Sequence, residues 1–302
     1  MTWPRVIILL LSHNDWGETI ECLASLAQLT YPNFHIVIVD NASSEPPVAA
    51  VRAHYQNVTI IENRENLGYA EGNNVGLRYA LEQGADYVLV LNNDTAVAPD
   101  TLTELVRAAE QEPEAAFLGP LVYHFDEPTL IQSAGGLATR DWRFYHRGQN
   151  QPDNQQFREI QPVAWVTGCS ILVRCAALDK IGLLDPAFFI YSEEVDWCLR
   201  ARERGFKVLF VPRAKIWHKG VQRNYRPSPR VTYLSSRNEL LLLNKHHAGV
   251  AASAKTWLRH LRTLTSWSVL PRWRSQRRHR DALAAALRDY VLRRFGPPPI
   301  LS

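Results

Sequence analysis

The chain has few cysteines, and none is placed to work with another. Cys22, Cys169, Cys175 and Cys198 lie scattered through 302 residues with no paired metal spacing. That spacing argues against a disulfide framework and reads as buried thiols of a cytosolic protein. Long apolar runs are missing too. Val6–Leu11 is too short for a signal peptide or a membrane span, acidic residues follow it closely, and no other stretch reaches spanning length. A cytoplasmic location is expected. There is no G-x-G-x-x-G fingerprint, so no nicotinamide site follows. Internal repeats and low-complexity segments are also absent.

The hydrophobic fraction of 46% is enough for a sizeable core. The formal charge of +4 is unevenly spread. Lys255 to Ser302 holds 11 Lys and Arg against 2 Asp, a net +9, which leaves −5 for the residues before it. The positive character belongs to the tail.

The first half alternates between two periodicities. Val6–Leu11, His35–Val39, Val58–Glu62, Tyr87–Leu91 and Ala116–Leu118 read as strands. Gly17–Leu29, Pro46–Tyr55, Tyr69–Gln83 and Pro99–Gln111 read as helices between them, with Pro99 in a first turn. This alternation predicts a parallel sheet built from right-handed crossovers. Residues 123–162 are rich in Gln, Asp, Asn, Gly and aromatics and read as a long surface excursion over the site. Val163–Val166 and Cys169–Arg174 read as strands, Glu193–Arg204 as a helix, and Lys207–Val211 and Ala214–His218 as strands. A helix from about Arg230 to Lys245 leads into the tail. The expected division is 1–228 and 229–302, the second part helical and basic.

Polar residues cluster where strands end, and ligands in open α/β sheets sit at carboxyl ends of strands. Ser12-His13-Asn14 follows the first strand and Asp40-Asn41-Ala42-Ser43-Ser44 the second. Asp40 suits the imide N–H of a uracil or thymine ring; the alternative is a helix cap, for which Ser43 is better placed. The glycines from Asn66 to Gly76 open a helix whose N-terminus would favour an anion. The run Tyr87–Leu91 ends in Asn92-Asn93-Asp94, either a polar loop or a site for a hard divalent cation that in turn holds a pyrophosphate. Phe188–Tyr191 precedes Glu193, Glu194 and Asp196 at a helix start. These three acids could serve the helix dipole, or crowd one another into a general base. Glu193 and Asp196 share a helix face by their spacing of three, whereas Glu194 points elsewhere. His218 ends a strand, either as a structural histidine or as a ligand.

Taken in order, Ser12–Asn14, Val39–Ser43, Asn66–Ala70, Gly72–Gly76, Leu91–Asp94, Gly168-Cys169, Phe188–Asp196 and Trp217-His218 resemble the family 2 glycosyltransferases of GT-A fold, over about residues 4–245. The nearest look is the bacterial rhamnosyltransferase-like branch that builds cell-surface polysaccharide. The resemblance implies a Rossmann-like, mostly parallel α/β sheet and inverting transfer from a nucleoside diphosphate sugar, dTDP-rhamnose as the first expectation and UDP-sugars as the alternative. It implies that Ser12, Asn14, Asp40 and Asn41 line the nucleoside pocket, with Asn66, Gly68 and Asn73 completing its wall. Asn93 belongs to the donor-binding set. Asp94 would bind Mg²⁺ or Mn²⁺, His218 would be a second ligand or a pyrophosphate contact, and Gly168 would lie under the donor sugar. Glu194 takes the position of the base with one methylene more than the usual Asp, Asp196 stands in reserve, and Arg237 resembles a position near the donor phosphates. A sugar nucleotidyltransferase is disfavoured, because no Lys or Arg follows Leu11 where its basic glycine-rich loop would lie. A non-catalytic nucleotide-sugar binder is the rival outside enzymes.

In the tail, Trp257, Leu258, Leu261, Leu264 and Trp267 recur at helical spacing among Arg259 and Arg262, and Asp281–Phe295 repeats the style. A basic amphipathic helix with tryptophan reads as an anchor on an anionic membrane surface, or else as a helix packed on the domain. The polybasic run 272–280 fits anionic headgroups. The acidic main body argues against nucleic acid, and a glycan or lipid-linked acceptor is expected.

Overall fold

The computed structural model describes residues 3–55, 58–220 and 225–299. The alternating half runs β1 (Val6–Ser12), α1 (Trp16–Leu26), β2 (Phe34–Asp40), α2 (Val48–His54), β3 (Val58–Glu62), α3 (Gly68–Glu82) and β4 (Tyr87–Asn92). Then come β5 (Thr95–Val97), α4 (Thr101–Gln111), β6 (Ala115–His124), β7 (Ile131–Ser133), β8 (Gly136–Ala138), β9 (Phe144–His146), β10 (Gln161–Pro162) and β11 (Ser170–Arg174). The remainder is α5 (Leu178–Ile181), α6 (Glu193–Glu203), β12 (Lys207–His218), α7 (Pro229–Lys245), α8 (Val250–Val269) and α9 (Arg277–Val291).

The main path of the sheet is β10-β12-β6-β11-β4-β1-β2-β3. Because side chains alternate along a strand, β1 feeds two cores. Ile7 and Leu9 belong to the core that α3 and α6 cover, whereas Val6, Ile8 and Leu10 belong to the one that α1 and α4 cover. A strand buried on both faces must be apolar throughout, which explains the runs in β1 and β4. β1 pairs in parallel with both β2 and β4. The chain steps outward from β1 to β3, then returns to β4 on the other side of β1, so a topological switch point lies at the carboxyl ends of β1 and β4.

The sheet is mixed, not wholly parallel: β11 runs antiparallel between β4 and β6. Val163–Val166 is not a strand. It makes an isolated bridge from Trp165 to Gly136 and a single bond from Val163 N–H to Val208 O, and the ladder with β12 is made by Gln161 and Pro162. Lys207–Val211 and Ala214–His218 form one strand, with a register shift between Val211 and Lys215. Pro99 precedes its helix, which begins at Thr101 after the cap residue Asp100. The excursion after β6 is folded: β7 pairs with β6, and β8 with β9.

Beyond position 228 the chain stays attached. Leu241 and Leu242 of α7 enter the same core as α3 and α6. α9 packs Leu283 and Leu287 on Leu240 of α7, with Trp257, Leu264 and Trp267 of α8 against that cluster. The four cysteines are buried and unpaired. Among the described residues no helix is long and apolar enough to cross a membrane.

Candidate active site

The ends of β1 and β2 are locked by their own side chains. Ser12 is fully buried and accepts a hydrogen bond from Thr19 Oγ1 at 3.0 Å, so its hydroxyl faces α1. Asp40 accepts from the backbone N–H of Ser43 at 3.2 Å and from the Ser43 hydroxyl, a local turn closure. Asn14 accepts from the Ser44 N–H at 2.9 Å. Asn41 uses its whole amide. It donates to Asn66 Oδ1 (3.0 Å) and Gly68 O (3.1 Å), and accepts from Asn63 Nδ2 and Leu67 N (both 3.0 Å).

Beside this network opens a cavity of about 310 Å³ lined by Leu11, Asn41, Asn66, Gly68, Phe189 and Arg230 among others. Of the residues expected to form the nucleoside pocket, Asn41, Asn66 and Gly68 line this cavity, whereas Ser12, Asn14, Asp40 and Asn73 do not. Asn73 is 1% exposed and donates to Tyr69 O at 2.8 Å, leaving its Oδ1 without a partner. Nor is the start of α3 open to an anion. The N–H groups of Tyr69 and Ala70 donate to Phe189 O at 2.7 and 3.1 Å, and those of Leu67 and Gly68 go to Asn41 and Asn66. Gly68, at φ +78°, lies so close under the Phe189 ring that a Cβ would stand 2.5 Å from it. A larger cavity of about 480 Å³ lies at the other end of the strands, near Arg5, Asp86 and Arg174. It holds none of the candidate residues.

The second part of the site is made by strand register. β5 pairs antiparallel with β12 so that Thr95 faces His218, and this brings Asp94 to the histidine. Asp94 Oδ1 lies 3.2 Å from His218 Nε2 without an aligned hydrogen bond. On the far side of the ring, His218 Nδ1 is 2.7 Å from Gln132 Oε1. An amide oxygen only accepts, so Nδ1 carries a proton, and Nε2 is left facing Asp94 Oδ1 and, at 3.3 Å, the Asn92 amide nitrogen. Burial pushes the Asp94 carboxyl up, but His218, its own backbone and Lys219 outweigh burial and hold it below its ordinary value. Asn93 turns away, donating to Thr19 Oγ1 at 3.0 Å.

These residues fit a hard divalent cation. Asp94 Oδ1 and Asn92 Oδ1 are buried without hydrogen-bond partners. A Cβ on Gly220 would stand 2.7 Å from Asp94 Oδ2 and 2.8 Å from His218 Nε2, so glycine keeps a cradle open between the two donors. Among the described residues no group of three or more His, Cys, Asp or Glu side chains forms a complete metal shell. Among the described residues Asp94 and His218 are thus a partial shell, one that water or ligand oxygens would complete.

The acids stand on a strained turn. Phe189, Tyr191 and Ser192 have φ of 65°, 76° and 73°, a left-handed cluster that costs on the order of 1–3 kcal/mol per residue. Asn238 on α7 holds it, donating to the carbonyls of Phe188, Ile190 and Tyr191 at 2.8–2.9 Å. Arg237, expected near donor phosphates, is fully buried and donates instead to Gly296 O at 2.9 Å and to the carbonyls of Ala187 and Phe188. Its guanidinium braces the same turn.

Glu193 is buried, Glu194 is half-buried, and Oε2 of each lacks a partner. Burial pushes the Glu193 carboxyl well up, aided by the Glu194 charge. Burial also raises Glu194, tempered by backbone N–H groups at the helix start. Asp196 is different. It meets Arg200 at 2.8 Å and Lys245 and His246 at 2.9 Å. Burial would raise its carboxyl, but His246, Arg200 and Lys245 together hold it low. Its ionic partners make it a strut between α6 and α7. Gly168 joins the two halves. Tyr69 Oη donates to Gly168 O at 2.6 Å, and a Cβ on Gly168 would lie 3.6 Å from Glu194 Cβ, an ordinary contact. The protein alone therefore leaves room for a side chain there.

Tyr69, Gln132, Gly220 and Asn238 were not singled out from the sequence. Each acts on a residue far away in the chain and carries no local pattern of its own.

A cavity at the ends of β1 and β2, a carboxylate and histidine pair, and the acids of α6 are carried by a fold of GT-A type. Residues 7–182 match the model of Glycosyl transferase family 2, and the chain belongs to that family of glycosyltransferase enzymes. It is 27% identical over 255 residues to the N-acetylglucosaminyl-diphospho-decaprenol L-rhamnosyltransferase of Mycobacterium tuberculosis, covering 78% of this chain and 82% of that one. The dTDP-rhamnosyl transferase RfbF of Shigella flexneri is 25% identical over 244 residues, 77% of this chain and 78% of its own. In fold it is similar to the mannosyltransferase PcManGT of Pyrobaculum calidifontis, solved with GDP-Man and Mn²⁺, at TM-score 0.59 and 15% identity over 96% of this chain and 88% of that one. GalNAc-T7, solved with UDP, GalNAc and Mn²⁺, gives TM-score 0.64 at 16% identity over 80% of this chain and 48% of that one.

Proposed function

We propose that this enzyme transfers rhamnose from dTDP-rhamnose, with inversion, to an acceptor hydroxyl in the assembly of a cell-surface polysaccharide or glycolipid. The single observation that carries the reading is the placement of Glu194 beside Gly168, with the Asp94–His218 pair at the neighbouring strand ends. The nucleoside occupies the cavity bounded by Asn41, Asn66 and Gly68, with the donor sugar over Gly168. Glu194 accepts the proton of the acceptor hydroxyl as that oxygen bonds to the anomeric carbon. The bond from this carbon to the diphosphate breaks on the opposite face, and the electron pair leaves with the nucleoside diphosphate. Asp94 and His218 would hold a Mg²⁺ or Mn²⁺ ion, which when bound would supply neutralising charge to that leaving group. A raised carboxyl pKa suits a base only if the group still ionises near neutral pH, which the backbone N–H groups at the start of α6 favour. Asp196 and Arg237 serve as supports in this scheme. The rhamnosyl preference rests on the two rhamnosyltransferase relatives. The acceptor is read as lipid-linked, met by a cytoplasmic enzyme at a membrane surface.

Glu194→Gln tests the core of the reading. General bases contribute about 10²–10⁴-fold, so turnover should fall in that range while dTDP-rhamnose still raises the melting temperature. Full turnover in the variant would reject Glu194. Donor binding without turnover by the wild type, across a broad acceptor panel, would favour a non-catalytic binder.

A further inference from the structure

We infer that the outward face of α8, with the turn that follows it, docks on an anionic lipid bilayer. The tryptophan stripe is not available for this. Trp257 packs on Tyr290 with ring centroids 5.9 Å apart and Trp267 on His279 at 6.2 Å, so that side of α8 is consumed by its contact with α9. The reverse side faces outward. It presents Leu258 (68% exposed), Leu261 (48%) and Val269 (70%), with Arg262 one turn beyond Leu258. Positions 258, 261, 262 and 269 fall on one helix face by their spacing.

Charge identifies the partner. Between Glu239 and Asp281 the sequence has no acidic residue and nine Lys or Arg. Ion pairs engage Lys245, Lys255, Arg259 and Arg280. Arg262, Arg272, Arg274, Arg277 and Arg278 are exposed and make no ion pair among the described residues. Arg262 stands one turn from Leu258, and Arg272 and Arg274 follow the exposed Val269 and Leu270 directly in the chain, so exposed aliphatic side chains and guanidinium groups free of ion pairs share this stretch, which matches a surface that is anionic at the headgroups and apolar just beneath. A nucleic acid would meet the charge but leave the leucines in water. The inference rests on the proposed function only in giving the enzyme a reason to be at a membrane. Vesicle binding is measured without donor or turnover, so either can fail alone.

The test is co-sedimentation of the full chain with phosphatidylcholine vesicles, with and without phosphatidylglycerol. Binding should require phosphatidylglycerol and weaken as salt rises. Each basic residue near an anionic surface is worth about fivefold in affinity, so Arg272→Gln, Arg274→Gln and Arg278→Gln combined should weaken binding roughly a hundredfold. Leu258→Ser with Leu261→Ser should also release the protein, at unchanged melting temperature because both side chains are exposed. Equal binding to neutral vesicles, no binding to either, or wild-type binding by both variants would overturn the inference. Tighter binding to duplex DNA than to the anionic vesicles at the same salt would overturn it in favour of nucleic acid.

Discussion

Gly220→Ala should empty the cation cradle without unfolding the protein. The added methyl would stand 2.7 Å from Asp94 Oδ2 and 2.8 Å from His218 Nε2. Divalent cations bind oxygen and nitrogen at about 2.0–2.5 Å, so the methyl takes the volume where an ion would touch both donors. Relief requires Asp94 and His218 to splay. That breaks the geometry imposed by the pairing of Thr95 with His218 and by the Gln132 bond to Nδ1. Loss of an outer partner of a metal ligand already costs about 10–100-fold in affinity, so obstruction between the ligands should cost at least about 100-fold, or ~2.7 kcal/mol. Gly220 is itself exposed, so the protein stays folded and the melting temperature should fall only by the cost of that local splaying. The assay is the disappearance of the free Mn²⁺ paramagnetic signal, titrated with and without dTDP. Wild-type Mn²⁺ affinity in the variant, in the presence of dTDP, would refute the cradle.

The same titration on the wild type should show weak Mn²⁺ binding without dTDP and much tighter binding with it; tight binding by the free protein would contradict a two-donor site. Asn238→Ala leaves the part-buried carbonyls of Ile190 and Tyr191 without their donor, and denaturant unfolding should report a loss of about 1–3 kcal/mol. A carboxyl whose pKa is raised on folding adds stability below its ordinary value of 4.5, and that stability is lost as pH rises through the raised value. Glu193→Gln removes this liability, so its melting temperature should exceed that of the wild type more at alkaline than at acidic pH; a uniform offset would be the contrary result. Because Glu194 must ionise to act, kcat/KM should rise with pH through a value above 4.5.

Much was legible before any fold was known, for local reasons. Apolar runs such as Val6–Leu10 mark strands buried on both faces, and their abrupt polar endings mark the ligand edge. The order of motifs from Ser12 to His218 carried the family. What failed were those inferences that took a side chain or a helix start to be open to a ligand or a membrane. Arg237, on a helix, looked free for phosphate; in the fold it is buried among the carbonyls of Ala187, Phe188 and Gly296. The start of α3 looked open, yet the Phe189 carbonyl fills it. The tryptophans of α8 looked ready for a membrane and instead face α9.

The sequence by itself determined the layers, the strand ends and the enzyme class, because periodicity and turn chemistry act between near neighbours. Only the tertiary structure decided which of the polar residues meet. Asp94 reaches His218 across more than a hundred residues through the β5–β12 register, Gln132 sets the proton on that histidine, and Asn238 holds the turn that presents Glu194. Such contacts arise from pairing and packing between distant segments, which leave no periodic trace along the chain.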